Sequence, residues 1–416
     1  MIQPAMLSRP PEKCPCLYRD ADYMTTTPTD KPLHASLALL VLIAFSGTLA
    51  MHIFVPALPQ AALALHTDSQ TIQLTVTVYI LGLALGQLIY GPLSDAIGRR
   101  PAVLGALCIY CTGAVASYLA TGIEFLIAAR FLQALGGAGG LALTRVIVAD
   151  TSRGISTTRS IAILNLILLL GPGLAPVIGA EIAGLFGWRT IFGALVLMGL
   201  ITIALATRYL PETAAPSGTL NATRIYATFR DLLAGKAFFR AITGGAFGST
   251  ACYAYFVSAP FILTSEMGLS VQAVGYCVGS TLAAAAAGSL LTRAIVGRVR
   301  DRLILRSFSV IGVLAGLAFL IGAITDMLTP VSVVTVSLII LFAAGGLGPV
   351  AIGTTLRLAG SNVGSASGLY GCFQMLSGVI CSFAAGLFTD HALGCGLVLF
   401  LAYLFCFIQF MRLKEQ

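Results

Sequence analysis

Twelve apolar stretches, each about as long as a membrane-spanning helix and each separated from the next by a polar break, dominate this chain. They fall near residues 36–58, 71–92, 101–121, 125–149, 161–186, 190–209, 240–264, 273–293, 304–325, 331–352, 364–389 and 392–411. A helix needs roughly 20 mostly apolar residues to cross the hydrocarbon core. Lipid offers the backbone no hydrogen-bond partner, so such segments must satisfy their own amides as α-helices. Only 10% of the 416 residues are charged, against about 25% in soluble domains. Too few charges remain to coat a globule in water, which sets aside a soluble enzyme, a secreted disulfide scaffold and a disordered regulator. The fold class expected is an all-α membrane protein with twelve transmembrane helices.

Charge then orients the chain. Of the 24 Lys and Arg residues, 21 fall in the two tails and in the loops that follow even-numbered helices, Arg189 alone falls on the other side, and Arg130 and Arg145 lie within helix 4. Cytoplasmic loops carry the excess of positive charge, so both termini are expected in the cytoplasm, in the cell inner membrane. The net charge of +8 is therefore a property of the loops and implies no nucleic-acid partner. Residues 1–34, rich in Pro, Thr and charge, read as a disordered tail. The longest internal polar stretch, 211–238, divides a bundle at 35–210 from a second at 239–416, six helices each. Two six-helix bundles around a central site are a transporter architecture. Cys108, Cys111, Cys252, Cys277, Cys372, Cys381 and Cys406 lie in apolar runs, and Cys14 and Cys16 form a lone C-x-C in the tail. Neither a disulfide framework nor a metal site is expected.

The loop after helix 2 reads Gly91-Pro-Leu-Ser-Asp95-Ala-Ile-Gly98-Arg99-Arg100-Pro101. Its glycines permit a tight turn, and Asp95 places a negative charge where a neighbouring helix N-terminus could receive it. G-x-L-x-D-x-x-G-R-R resembles the signature loop of the major facilitator superfamily. The upstream run from Tyr79 through Gly82, Gly86 and Gln87 to Tyr90 resembles the bicyclomycin/chloramphenicol resistance branch of drug exporters. Further likenesses are Val55-Pro-Ala-Leu-Pro59, Arg130-Phe-Leu-Gln133, Arg145 with Asp150, Gly187-Trp-Arg-Thr-Ile-Phe192, Leu210-Pro-Glu-Thr213 and Ser258-Ala-Pro-Phe261. The resemblance implies the major facilitator fold and alternating access. It also implies that Gly91, Asp95, Gly98, Arg99 and Arg100 form a gating loop that docks on the start of helix 11, near Ser361 to Ser365.

Helix 5 carries Gly171-Pro172-Gly173-Leu-Ala175-Pro176-Val-Ile-Gly179, which resembles the antiporter motif of exporters. Read physically, Gly171, Ala175, Gly179, Ala183 and Gly187 repeat every four residues and make one small-residue face, which admits a close helix neighbour. Pro172 and Pro176 loosen the helix. A matching stripe in helix 8 (Gly275, Gly279, Ala283, Ala287) makes these two faces the expected contact between bundles, with packing inside one bundle as the alternative.

Ionisable residues within membrane helices are functional candidates because lipid makes them costly. His52, Arg130 and Glu181 lie five or six residues from the same side of their helices and are expected to form a proton-coupling cluster. Tyr79, Gln133, Asn165, Tyr253, Tyr255, Phe256 and Gln374 are candidate cavity residues. Related exporters often carry an acid where His52 stands, so their proton mechanism does not transfer directly. The chain has no phosphate-binding G-x-x-x-x-G-K-[ST] and no H-E-x-x-H. An ion gradient is therefore the expected energy source, with protons and a small drug-like molecule as partners, no cofactor, and a monomer. A metabolite exporter or symporter on the same fold, and a non-transporting membrane sensor, are the rival readings.

Overall fold

A computed structural model describes residues 36–151, 173–213, 222–360 and 363–413. Eleven of its helices are long and apolar enough to cross a membrane, and a shorter apolar helix, Gly173–Phe186, begins at the edge of the described residues. In chain order they are α1 (Leu37–Ala64), α2 (Ser69–Ile97), α3 (Arg99–Tyr118), α4 (Ile123–Thr151), α5 (Gly173–Phe186) and α6 (Arg189–Tyr209). The second set comprises α7 (Lys236–Glu266), α8 (Val271–Ile295), α9 (Asp301–Ile324), α10 (Pro330–Leu358), α11 (Val363–Gly386) and α12 (His391–Met411). Because successive helices run in opposite directions, the connections fall at two ends. One is the linker end, which holds Gly98, Leu210 and Gly235. The other is the His66 end.

Four of the helices that start at the His66 end, α2, α8, α10 and α12, cap themselves. Asp68 accepts from the Thr71 amide at 2.6 Å and Asp390 from the Leu393 amide at 2.8 Å. Ser270 accepts from the Ala273 amide, and Thr329 with Ser332 forms a reciprocal capping box ahead of Pro330. At the linker end α3 instead borrows its cap from far along the chain: the Glu212 carboxylate accepts from the amides of Arg99 (2.8 Å) and Arg100 (3.2 Å).

The first helix of each set is interrupted. Regular α-helix in α1 stops at His52, a 3-10 turn covers Val55–Ala57 with Pro56 in it, and helix resumes at Leu58. A proline cannot donate the amide that a continuous helix needs. In α7 the regular helix breaks between Thr250 and Cys252, and a wide turn, Ile262–Glu266, follows Pro260. The linker contains a further helix, Ala222–Ala234, whose Leu232 packs with Phe238, Ala366, Leu369 and Tyr370. It therefore rests on the second set, and the polar connection runs from Leu210 to Gly235, slightly short of the 211–238 expected.

Candidate functional site

Glycines bring α1 and α4 into backbone contact. A Cβ on Gly47 would stand 2.6 Å from the Gly137 oxygen, and one on Gly140 would stand 2.4 Å from the Ile43 oxygen. This approach buries Arg130 of α4 completely. Its Nη1 donates to Gln133 Oε1 at 2.7 Å and its Nη2 to the Ala50 carbonyl at 3.0 Å, while Nε has no hydrogen-bond partner. The guanidinium stacks over the Tyr79 ring, 4.1 Å from its centroid, with Phe54 and Phe192 at 5.7 and 5.6 Å. Tyr79 in turn donates its hydroxyl to the Gly47 carbonyl at 2.9 Å. The acceptor Ala50 lies two residues before His52, so Arg130 pins α1 where its regular helix ends.

His52 faces the other set. Its ring packs edge-on against Phe256, 5.2 Å between centroids, and 6.3 Å from Tyr253. Tyr253 also fills the space left by Gly378 of α11, where a Cβ would stand 2.3 Å from the ring and 3.5 Å from Ile80 of α2. The seam between the sets continues along α2 and α11. Gln87 lies against Gly371, Gln73 against Gly386, and Gln70 Nε2 donates to the Leu387 carbonyl at 3.2 Å. A cleft of about 120 Å³ opens along that seam between Gln70, Gln73 and Thr77 on one side and Ser382, Phe383 and Gly386 on the other.

Glu181 stands apart. It accepts from the Tyr276 hydroxyl of α8 at 2.6 Å, and Tyr276 is 55% exposed. The three charged candidates therefore do not gather: among the described residues no hydrogen bond or ion pair joins any two of them. Arg130 is bound to neutral acceptors inside the first set, His52 sits at the seam, and Glu181 lies on the bundle flank. Equal depth along three helices says nothing about which way each side chain turns, and the rotation separates them.

The other candidates divide in the same way. Tyr79 and Gln133 are locked inside the first set, and Tyr255 is buried within the second, beside Ser337. Tyr253, Phe256 and Gln374 lie at or near the seam, with Gln374 donating to Ser249 at 3.0 Å. Asn165, Gly171 and Pro172 lie outside the described residues.

The small-residue contact between α5 and α8 is present, through a different face of α5. Gly275 of α8 meets Ala180 and the Pro176 carbonyl, Gly279 meets Gly173 and Val177, and Gly184 meets Gln272. Gly179 turns instead to α1, where a Cβ would stand 1.8 Å from the Ile53 oxygen, and Ala175 and Ala183 are buried. The four-residue period identified a real close-packing face, but that face serves the inside of the first set. The inter-set stripe is Gly173, Pro176, Ala180 and Gly184.

At the linker end the signature loop folds back on its own set. Arg99 donates to Asp95 (2.5 Å), to Ser94 (2.6 Å) and to Asp150 at the end of α4 (3.1 Å). Arg100 donates to the Thr207 carbonyl at 2.6 Å. Gly98, at φ +99°, takes a backbone conformation that L side chains rarely adopt. A Cβ there would stand 2.7 Å from the Glu212 carboxylate, while Gly91 has open space around it. Glu212 meets the α3 N-terminus, and Asp95 is engaged by Arg99. Glu212 was legible only as part of a likeness, Leu210-Pro-Glu-Thr213; its cap spans over a hundred residues and leaves no local signal. Of the stretch from Ser361 to Ser365, where docking of the loop is expected, positions 361 and 362 lie outside the described residues.

Comparison with known proteins settles the family. The sequence model of the Major Facilitator Superfamily matches residues 40–382. This chain belongs to that superfamily. It is 30% identical over 405 residues to an uncharacterized MFS-type transporter, YdgK, of Bacillus subtilis (strain 168), covering 94% of this chain and 98% of that protein. It is 27% identical to multidrug resistance protein D of Escherichia coli (strain K12) over 84% of this chain and 88% of the relative. A D-xylose-proton symporter crystal structure superposes with a TM-score of 0.71 at 14% identity, covering 89% of this chain and 96% of that one, a likeness of fold. The chain is thus a multi-pass membrane transporter of this superfamily, and not an enzyme.

Proposed function

We propose that this protein is a secondary active transporter that exports small drug-like compounds by alternating access, driven by proton entry. The observation that carries the reading is the seam. Two sets of helices meet along α2 with α11 and α5 with α8, through glycines and a few hydrogen bonds, and their first helices are both interrupted where His52 meets Tyr253 and Phe256. A contact of this kind permits two rigid bodies to rock about a shared site. The family resemblance, and relatives named for drug resistance, favour export of drug-like compounds over uptake of a metabolite. His52, which meets Tyr253 and Phe256 at the seam, is the proton-carrying group in this reading, with Arg130 fixing the backbone beside it. In this reading the linker end, rich in Lys and Arg, faces the cytoplasm, and the protein works as a monomer in the inner membrane.

Purified protein in sealed liposomes, given an imposed pH gradient and a chloramphenicol-like or quaternary-ammonium compound, tests this. Gradient-dependent movement of at least one compound, abolished by a protonophore, is expected. Absence of flux under proton and sodium gradients alike refutes it.

A further inference from the structure

Among the described residues, Arg130 is the one Lys, Arg, Asp or Glu side chain that is fully buried, and the carboxylate at the α5–α8 contact, Glu181, lies on its exposed flank. Of the chain's 16 carboxylates, six lie in the described membrane helices. In the membrane helices Asp95 is third from the end of α2, Glu124 second in α4, Asp150 next to last in α4, Glu266 last in α7 and Asp301 first in α9. All five lie within a turn of an end. Glu181 is deeper, but it turns outward to Tyr276, which is 55% exposed. The undescribed stretch 152–172 contains no Asp or Glu in its sequence. Against this stands Arg130, eight residues into α4 and fully buried, whose partners Gln133 and Ala50 are neutral and whose Nε has none. Neutral dipoles and aromatic faces solvate a guanidinium without cancelling its charge. His52, two residues from that anchor and facing Phe256, carries either no charge or a positive one and never a negative one.

We propose that the central site takes neutral or anionic amphipathic compounds and discriminates against cations, with Arg130 as the charge that sets the preference. This deepens the transport reading by naming the substrate class of its site. Tyr253 and Phe256 pack beside His52 at the seam and would present aromatic faces to a bound compound once the seam opens. A unit charge about 10 Å away, at an effective dielectric of about 20, changes the affinity of a monovalent ion by roughly an order of magnitude. Relative to a neutral isostere, an anion gains about that factor and a cation loses it.

The test is equilibrium binding to purified full-length protein in nanodiscs, read by probe fluorescence. It uses three naphthalene probes of equal size bearing a sulfonate, a carboxamide or a trimethylammonium group. The sulfonate and carboxamide are expected to bind at least ten-fold more tightly than the trimethylammonium probe. His52→Asp, which places a carboxylate next to the Arg130 anchor, is expected to narrow the gap to within about three-fold. Arg130→Gln should do the same where it folds, and His52→Asp carries the test where it does not. Equal or tighter binding of the trimethylammonium probe to the unaltered protein overturns the proposal. So does an unchanged gap in His52→Asp, or failure of all three probes to bind. Binding in the expected order without any gradient-driven flux would instead count against the transport reading alone.

Discussion

At the linker end, the described ion pairs stay inside one set of helices: Arg99 with Asp95 and Asp150 in the first, Arg357 with Asp301 in the second. At the His66 end, three hydrogen bonds between described residues cross from one set to the other. Gln70 bonds the Leu387 carbonyl, Gln73 meets His391 at 3.4 Å, and Tyr276 bonds Glu181. The first kind of contact survives when two rigid bodies rock, and the second kind must break. Hydrogen bonds contribute about 0.5–1.5 kcal/mol each, so three of them with glycine packing make a closure of a few kcal/mol. That is the range in which a protein keeps both states within reach. The linker-end contacts, charged and partly buried, build the bodies; the His66-end contacts, neutral and weak, join them for part of the cycle.

Substitutions can break this distinction, and the largest effect belongs to packing inside a set. Gly179→Leu drives a side chain into the Ile53 backbone, and size-exclusion profiles should show no monodisperse protein, whereas Gly91→Leu, in open space, should elute as the parent does. Gly98→Ala forces an alanine into a positive-φ position, which costs about 1–2 kcal/mol, and pushes Glu212 from the α3 terminus. A melting temperature lowered by several degrees is expected, with unchanged maleimide labelling of Ala180→Cys at the opposite end. Tyr276→Phe should do the reverse. Loss of one crossing hydrogen bond, about 1 kcal/mol, should raise the labelling rate of Ala180→Cys roughly five-fold and leave the melting temperature within a degree. If Tyr276→Phe melts earlier without faster labelling, the flank contact is part of a body and the comparison fails.

The smallest effect concerns the His66-end caps. Hydrogen bonds from the Thr71 amide and hydroxyl hold the Asp68 carboxyl below its ordinary range. Its contribution to α2 is therefore complete above that range and is lost as pH falls through the lowered value. The pH profile of unfolding below about pH 4 should flatten slightly in Asp68→Asn, by less than about 1 kcal/mol.

Much of this arrangement is legible in the sequence, and the exceptions share a cause. Hydropathy places the helices because bilayer thickness fixes their length, and the i, i+4 glycines of helix 5 do mark a close-packing face. Which neighbour each face meets depends on helix rotation. For that reason the Gly179 face turned out to serve α1, and the Ala180 face, one residue along, serves α8. The same blindness gathered His52, Arg130 and Glu181 into one cluster by depth, although they point to the seam, inward and to the flank. Glu212 shows the complementary limit. Its carboxylate acts on Arg99 and Arg100 across more than a hundred residues, where no periodicity reaches. Arg130 was found because a charge among apolar residues stands out regardless of rotation, while its neutral acceptors required the fold.

The central claim, that the His66-end seam opens during transport, is tested most directly by locking it. Ala180→Cys with Gly275→Cys, in a background lacking other reactive cysteines, places two thiols at the α5–α8 contact, where a Cβ on Gly275 already stands 2.3 Å from the Ala180 Cβ. Oxidation should yield a cross-link within one chain, stop gradient-driven flux in liposomes by more than ten-fold, and reduction should restore it. Flux that continues at the parental rate with the cross-link complete would contradict the account.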